Sequence, residues 1–66
     1  MSKNFGKIVK NLRVENGLLQ KEFANDLSVT QKTVSFWESG KQEPSFDLLE
    51  KIADYFNVTT DFLLGR

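Results

Sequence analysis

Residues 20–41, QKEFANDLSVTQKTVSFWESGK, contain two short helical patterns separated by a break of three residues. Phe23, Ala24 and Leu27 have the three- and four-residue spacing that places side chains on one face of a helix. The break covers residues 28–30, and Thr30 can cap the following helix because its hydroxyl accepts a hydrogen bond from a free backbone N–H. Two short helices with so brief a connection predict a helix-turn-helix.

The second helix of this stretch has an inward and an outward side. With about 100° of rotation per residue, Val34 and Trp37 lie about 60° apart and define the inward side. The side chains that cluster opposite them are Lys32, Ser35, Phe36 and Ser39. We therefore expect Trp37 inside the core and Phe36 outside it, although the two aromatic residues are neighbours in the chain.

Three further helices are predicted outside this stretch. The first has an apolar stripe at helical spacing, which consists of Phe5, Ile8, Val9 and Leu12. Gly17 ends that helix, Ser45 caps a fourth, and Thr59 caps a short fifth. Because no segment has the alternation of a strand, we expect a single all-α domain of five helices over residues 1–66.

Composition removes several classes of function. The chain has no cysteine and no histidine, so it lacks disulfides, the usual zinc ligands and the commonest general base. The carboxylates are not spaced as a buried catalytic pair, and we expect no enzyme, metal, cofactor or small-molecule ligand. Because no apolar run of about 20 residues is present, we expect no membrane span and a cytoplasmic location.

Charge is balanced overall but unevenly distributed. The chain has nine basic and nine acidic residues. Residues 1–41, Lys3 included, hold seven basic and four acidic residues, whereas residues 42–66 hold two basic and five acidic residues. This asymmetry permits a face for a polyanion, and it also suits an ordinary solvated surface.

The outward side of the second helix has the chemistry of a base-reading surface. Glutamine, here Gln31 at the helix start, can pair with adenine in the major groove. Lysine can bond guanine or a phosphate, and phenylalanine can pack on a thymine methyl. The same side chains also make an ordinary surface with one exposed aromatic residue, so the spacing leaves both interpretations open.

Residues 7–64 resemble the phage-repressor and Cro type of helix-turn-helix, the Xre family. The motifs that carry the resemblance are GL at residues 17–18 followed by Gln20, WESGK at residues 37–41 and EPS at residues 43–45. The resemblance implies a lambda-repressor-like fold, with the helix-turn-helix at residues 20–39. It also implies a recognition helix at residues 31–38, lying in the major groove of double-stranded DNA.

The resemblance also implies roles for individual residues. The base-facing positions are Gln31, Lys32, Ser35 and Phe36. The positions that contact phosphate or sugar are Gln20, Thr30, Thr33, Ser39 and Lys41. Arg13 and Glu38 match an internal ion pair, so Arg13 is assigned to structure rather than to DNA.

The end of the chain is too apolar to be simply solvated. Phe62, Leu63 and Leu64 follow one another there, and at least one of them must pack on the core. Because the last helix of the family often builds a dimer interface, the resemblance implies a homodimer on an operator with two-fold symmetry. Whether the chain is a complete regulator or the DNA-binding part of a longer one stays open.

Two functions are compatible with this resemblance. The first is a sequence-specific transcriptional regulator, a repressor that acts on its operator. The alternative is a protein-interaction module on the same fold, such as an antirepressor or antitoxin, which the zero net charge and an outward Phe36 favour.

The sequence departs from the family pattern at three positions. Leu19 stands where a capping Thr or Ser is usual, so the acid Glu22 lacks its capping-box partner. Ser28 replaces the common turn glycine, and a positive φ there would strain it. Phe36 replaces a polar residue, and its ring has three possible contacts: a thymine methyl, a neighbour such as Trp37 or Lys32, or a partner protein.

Overall fold

Five α-helices follow one another along the part of the chain that the computed structural model describes, residues 4–66. In chain order they are α1 (Phe5–Glu15), α2 (Gln20–Asp26), α3 (Gln31–Ser39), α4 (Phe46–Phe56) and α5 (Thr60–Leu63). This all-helical architecture confirms the predicted fold class. The first three residues of the predicted 1–66 domain, Lys3 among them, lie outside the described residues. Within residues 4–66, none of the helices is long and apolar enough to cross a bilayer.

Three of the helices begin at a hydroxyl cap, as the sequence predicts. Thr30, Ser45 and Thr59 each accept a hydrogen bond from the backbone N–H three residues later, at 3.1, 3.2 and 3.0 Å. Each cap contributes about 1 kcal/mol because it satisfies a backbone donor that the helix itself leaves unpaired. These caps set the starts of α3, α4 and α5.

The hydrophobic core collects side chains from all five helices. Its buried members are Phe5, Val9, Phe23, Ala24, Leu27, Val34, Trp37, Leu49, Ile52, Ala53 and Leu63. Trp37 is 1% exposed, which confirms that it points inward. Leu63 is completely buried, so its inclusion among the dimer-interface candidates was wrong: α5 docks on the core through this side chain.

Helices α1 and α3 approach each other closely at Gly6. A β-carbon at this position would lie 2.5 Å from the carbonyl oxygen of Trp37 and 2.8 Å from that of Glu38. These distances are too short for any side chain, so the absence of one at Gly6 allows the two backbones to meet. The position of α3 relative to α1 therefore depends on a glycine.

Helix α4 holds the end of α2. The Tyr55 hydroxyl donates a hydrogen bond to Asp26 Oδ2 at 2.6 Å, and Lys51 Nζ donates one to the carbonyl oxygen of Leu27 at 3.3 Å. The ring of Phe23 contacts the rings of Tyr55 and Phe56, with centroids 5.4 and 5.2 Å apart. The end of α2, where the chain turns toward α3, is thus tied to the body of the domain.

Candidate nucleic-acid interface

The turn between α2 and α3 uses a residue in the left-handed region. Ser28 has φ +60°, which confirms that this position requires a positive φ. The Val29 N–H donates to the carbonyl oxygen of Ala24 at 2.9 Å and closes the end of α2. A non-glycine residue in this conformation costs about 1–2 kcal/mol, so the turn carries some strain.

The start of α2 is only partly capped. Leu19 occupies the cap position with an extended backbone, and its side chain has no atom that can accept a hydrogen bond. Glu22 Oε1 accepts a hydrogen bond from the Leu19 N–H at 2.8 Å, so one of the two bonds of a capping box forms. The missing bond is the one that a cap hydroxyl would make.

The ion pair between Arg13 and Glu38 that the resemblance implies is present. Arg13 Nε donates to Glu38 Oε2 at 2.7 Å and Arg13 Nη2 donates to Glu38 Oε1 at 3.1 Å, which makes the contact bidentate. Arg13 Nη1 also donates to the carbonyl oxygen of Leu18 at 2.6 Å. The two side chains are only 11% and 5% exposed. Arg13 therefore joins α1 to α3 and to the segment before α2.

Hydrogen bonds extend from this ion pair to the surface of α3. Gln20 Nε2 donates to Glu38 Oε1 at 3.1 Å, and Gln31 Nε2 donates to Gln20 Oε1 at 3.4 Å, a long and weaker bond. The bond uses one of the two N–H groups of the Gln31 amide. The second N–H and the carbonyl oxygen form the donor–acceptor pair that adenine requires.

This arrangement changes the interpretation of Gln20. Its amide oxygen and one of its amide N–H groups bond to Gln31 and Glu38, so the side chain links α2 to α3. Its second amide N–H remains for a phosphate. Sequence reasoning had no signal for this link, because the two glutamines are eleven residues apart and the contact depends on how α2 and α3 cross.

The other predicted contact residues lie along α3 and its two ends. Gln31, Lys32, Thr30, Ser39 and Lys41 are exposed, whereas Thr33, Ser35 and Phe36 are half-buried. The hydroxyls of Thr30 and Thr33 are 2.9 Å apart, and Ser39 Oγ donates to the carbonyl oxygen of Phe36 at 3.3 Å. The structure thus places the predicted residues on one helix and its flanks, with α3 ending at Ser39 rather than at residue 38.

The ring of Phe36 already has neighbours in this structure. Lys32 Nζ lies 5.5 Å and Lys41 Nζ 5.9 Å from the ring centroid. Of the three contacts that the sequence leaves open for Phe36, a contact with a neighbouring side chain is therefore present. Sequence reasoning anticipated Lys32, four residues earlier on the helix, but missed Lys41.

Two large apolar side chains on α4 and α5 are exposed. Phe46, at the start of α4, is 71% exposed, and Phe62 in α5 is 50% exposed. Leu64, just after α5, is half-buried. Of the three residues predicted at a dimer interface, Phe62 and Leu64 thus keep accessible surface. Within residues 4–66, no group of three or more potential metal ligands is placed to hold an ion.

Comparison with known proteins agrees with this geometry. A family model described as helix-turn-helix matches residues 9–63. The chain is 36% identical over 63 residues to the HTH-type transcriptional regulator ImmR of Bacillus subtilis, covering 96% of this chain and 50% of ImmR. It is 37% identical over 54 residues to the cryptic phage CTXphi transcriptional repressor RstR of Vibrio cholerae, covering 82% of this chain and 49% of RstR. The chain thus spans about half the length of these two relatives.

A solved structure has the same fold. A transcriptional regulator from Listeria innocua superposes with a TM-score of 0.92 at 30% sequence identity. The match covers 100% of this chain and 62% of that one. The arrangement of all five helices is therefore shared with a known transcriptional regulator.

Proposed function

The chain belongs to the Xre-like helix-turn-helix family, and on this premise we propose that it binds double-stranded DNA sequence-specifically and represses transcription as a homodimer. In this proposal residues 20–39 are the DNA-binding motif of a single domain, and residues 31–38 are the recognition helix. Several relatives to which the chain is similar are named transcriptional regulators, ImmR and RstR among them. The proposal also places the chain in the cytoplasm, with the DNA.

The main support for this proposal is the series of hydrogen bonds that runs from Arg13 and Glu38 through Gln20 to Gln31. A base-reading side chain must be held in one orientation if it is to distinguish bases. Gln20 bonds to the buried carboxylate of Glu38 on one side and to the amide of Gln31 on the other. Gln31 is thus exposed at the start of α3 and linked to the interior, which supports a role in reading adenine.

Polar groups around α3 support the remaining contacts. Thr30, Thr33, Ser39 and Lys41 carry hydroxyl or ammonium groups suited to phosphate oxygens, and Gln20 retains one amide N–H. Ser35 lies on the same side of α3 as Lys32 and Phe36, one turn after Gln31. We propose that Gln31 and Ser35 face base edges and that the other polar groups position the helix on the DNA backbone.

The homodimer is supported by the surface of α5. Phe62 is half exposed, and its ring would be covered in a contact between two copies of the chain. Two recognition helices related by a two-fold axis would then meet successive major grooves about 34 Å apart. The operator would therefore have two-fold symmetry. The repressor assignment follows RstR, which is named a transcriptional repressor.

Selection of bound sequences from a random pool of double-stranded DNA tests the proposal. We expect one enriched site with two-fold symmetry, and weaker binding as the salt concentration rises. Binding without sequence preference would contradict the regulator. Failure to bind DNA at low salt would instead favour the protein-interaction module, an antirepressor or antitoxin.

Replacing Gln31 tests the base-reading role directly. Gln31→Ala should cost roughly 1–3 kcal/mol of binding free energy on the selected site, and it should relax the preference at one base pair in each half-site. Titrations against the site and its single-base variants measure both effects. Lys10→Ala, an exposed change on α1, serves as the control. Equal loss on every sequence would exclude base reading by Gln31.

A further inference from the structure

Two ammonium groups lie near the ring of Phe36, one from α3 and one from the segment that follows it. Lys32 Nζ and Lys41 Nζ are 5.5 and 5.9 Å from the ring centroid. Both distances are within the limit of about 6 Å at which a cation is attracted to the face of an aromatic ring. The ring is half-buried, whereas Lys32 and Lys41 are exposed.

Backbone geometry brings both lysines to this ring. Lys32 precedes Phe36 by one helical turn, so the two side chains share a face of α3. Beyond the helix, Gly40 adopts φ +80° and reverses the chain. The Lys41 N–H then donates to the carbonyl oxygen of Phe36 at 2.9 Å, and the Gly40 N–H donates to that of Trp37 at 3.2 Å.

These two hydrogen bonds form a Schellman motif, which has a specific consequence for side chains. A contact between the residue after the left-handed glycine and the residue that accepts its N–H frequently accompanies this motif. Here those residues are Lys41 and Phe36, so the helix ending brings the backbone of Lys41 beside Phe36. The Lys41 side chain then extends so that its Nζ lies 5.9 Å from the ring centroid.

Two like charges gathered on one ring repel each other, and an anion relieves that repulsion. The chain has no net charge, so its attraction to DNA must come from local groupings of cations. Phosphate oxygens are the anions that the proposed function brings to α3. An isolated phenylalanine could pack on a thymine methyl, but two ammonium groups already lie within about 6 Å of the centroid of this ring.

We propose that Phe36 is a positioning residue that holds Lys32 and Lys41 as a paired cationic clamp for DNA phosphate groups, and that it does not read a thymine methyl. The inference rests on the proposed DNA-binding function. It moves Lys32 from base reading to backbone contact, and it assigns Phe36 a role that acts through its two neighbours.

The first test uses the free protein. In carbon–proton correlation spectra, the ring current of Phe36 should shift the terminal methylene protons of Lys32 and Lys41 upfield of those of the other lysines. Phe36→Leu should abolish the shift, and Phe36→Tyr should keep it. If the two lysines resemble the others in the unchanged protein, the clamp does not exist, whatever DNA the protein binds.

The second test measures affinity for the selected DNA site over a range of salt concentrations. Lys41→Gln should weaken binding by a similar factor on all sequences and reduce the slope of log affinity against log salt by about 1. Phe36→Leu should act in the same direction, and its effect should be smaller when Lys41 is already replaced and smallest when Lys32 and Lys41 are both replaced. Lys10→Gln, which removes the same charge from α1, should leave the slope unchanged.

The third measurement separates the clamp from thymine recognition. Each thymine of the site is replaced by uracil, which lacks only the methyl group. We expect changes below about twofold at every position. A single position at which uracil weakens the unchanged protein at least fivefold, with the loss absent in Phe36→Leu, would overturn the inference while leaving the proposed function intact. Absence of any DNA binding by the unchanged protein would overturn both.

Intact folding of each variant is checked by the fluorescence of Trp37, the one tryptophan of the chain. Should Phe36→Leu fail to fold, the lysine substitutions at exposed positions still decide the outcome. Unchanged salt slopes in both Lys32→Gln and Lys41→Gln would overturn the clamp.

Discussion

At the scale of single residues, Glu38 shows how one side chain can serve stability and function together. Its carboxylate accepts two hydrogen bonds from Arg13 and one from Gln20. The pairing with Arg13 could be predicted only from the family resemblance, because two residues 25 positions apart share no local sequence pattern. Removal of one partner from such a buried pair typically costs about 3–5 kcal/mol, because the other charge is left without compensation.

Tyr55 gives a prediction for pH dependence. Its hydrogen bond to Asp26, together with partial burial and the nearby negative charges of Asp26 and Glu22, raises the pKa of Tyr55 from 10.0 to about 12. The phenol donates its hydrogen bond only while it is protonated, and its pKa is higher in the folded protein than in the unfolded chain. Its contribution to stability is therefore complete below pH 10 and is lost as the pH rises toward 12.

The titration of Tyr55 can be followed directly, because the chain has one tyrosine. Ultraviolet absorbance of the phenolate should give a midpoint near pH 12 in the folded protein. Asp26→Ala removes the acceptor and its charge, and should move the midpoint toward 10.0. A midpoint at the ordinary value in the unchanged protein would show that the bond between α4 and α2 is not formed in solution.

At the scale of helices, the start of α2 offers a stabilising change. Leu19 has the extended backbone of a cap, is 58% exposed, and already donates its N–H to Glu22. Leu19→Thr would add the missing hydroxyl acceptor and complete the capping box. We expect a gain of about 1 kcal/mol in the free energy of unfolding, measured by chemical denaturation with Trp37 fluorescence.

The matched control for this change is Leu19→Ala. It removes the same exposed leucine side chain but supplies no acceptor, so it should not produce the gain. If threonine and alanine at this position have equal stabilities, the cap does not limit the stability of α2.

At the contact between α1 and α3, we predict a substitution that destabilises the fold. Alanine is favoured over glycine inside a helix by about 1 kcal/mol. At Gly6, however, a β-carbon would meet the carbonyl oxygens of Trp37 and Glu38 at 2.5 and 2.8 Å, and these are backbone atoms that cannot rotate away. We expect Gly6→Ala to lower the free energy of unfolding by about 1–3 kcal/mol.

Chemical denaturation with an α1 control measures this effect. Asn11→Ala places alanine at an exposed position of the same helix and should be neutral or slightly stabilising. A Gly6→Ala protein as stable as the Asn11→Ala protein would mean that α1 and α3 are further apart in solution than in the structure.

At the scale of the whole molecule, the exposed apolar surface is where we expect two copies of the chain to associate. Phe62 is half exposed, and a two-fold interface would bury the Phe62 side chain of both copies of the chain. A Phe62→Ser dimer therefore lacks two phenylalanine side chains at its interface. Half of a phenylalanine side chain is worth about 1 kcal/mol on burial, which makes the loss about 2 kcal/mol per dimer. The protein concentration for half dimerisation should therefore rise at least about tenfold.

Sedimentation equilibrium measures this shift. Val14→Ser, which removes a 57% exposed apolar side chain from α1, is the control and should leave the association unchanged. If Phe62→Ser associates as the unchanged protein does, the interface lies elsewhere. Phe46, the most exposed of the large apolar side chains among residues 4–66, would then be the next position to replace.

The five helices, the hydroxyl caps of α3, α4 and α5, and the inward side of α3 could be predicted from the sequence. Each depends on residues within a few positions of one another. The Thr30 hydroxyl accepts a hydrogen bond from the Thr33 N–H in the first turn of α3, and the spacing of Val34 and Trp37 alone identifies the buried side of that helix. The resemblance added the expectation that α3 is a recognition helix and that Arg13 pairs with Glu38. By itself the sequence therefore determined which segments are helical and which way α3 faces.

Only the tertiary structure decided how these helices meet. It placed Leu63 in the core rather than at an interface, linked Gln20 to Gln31, set Gly6 against the carbonyl groups of α3, and turned Lys41 back over Phe36. Most of these contacts join residues on different helices, and that with Lys41 requires the reversal at Gly40. Helical spacing specifies a face, whereas the partner of that face depends on the packing of the whole chain.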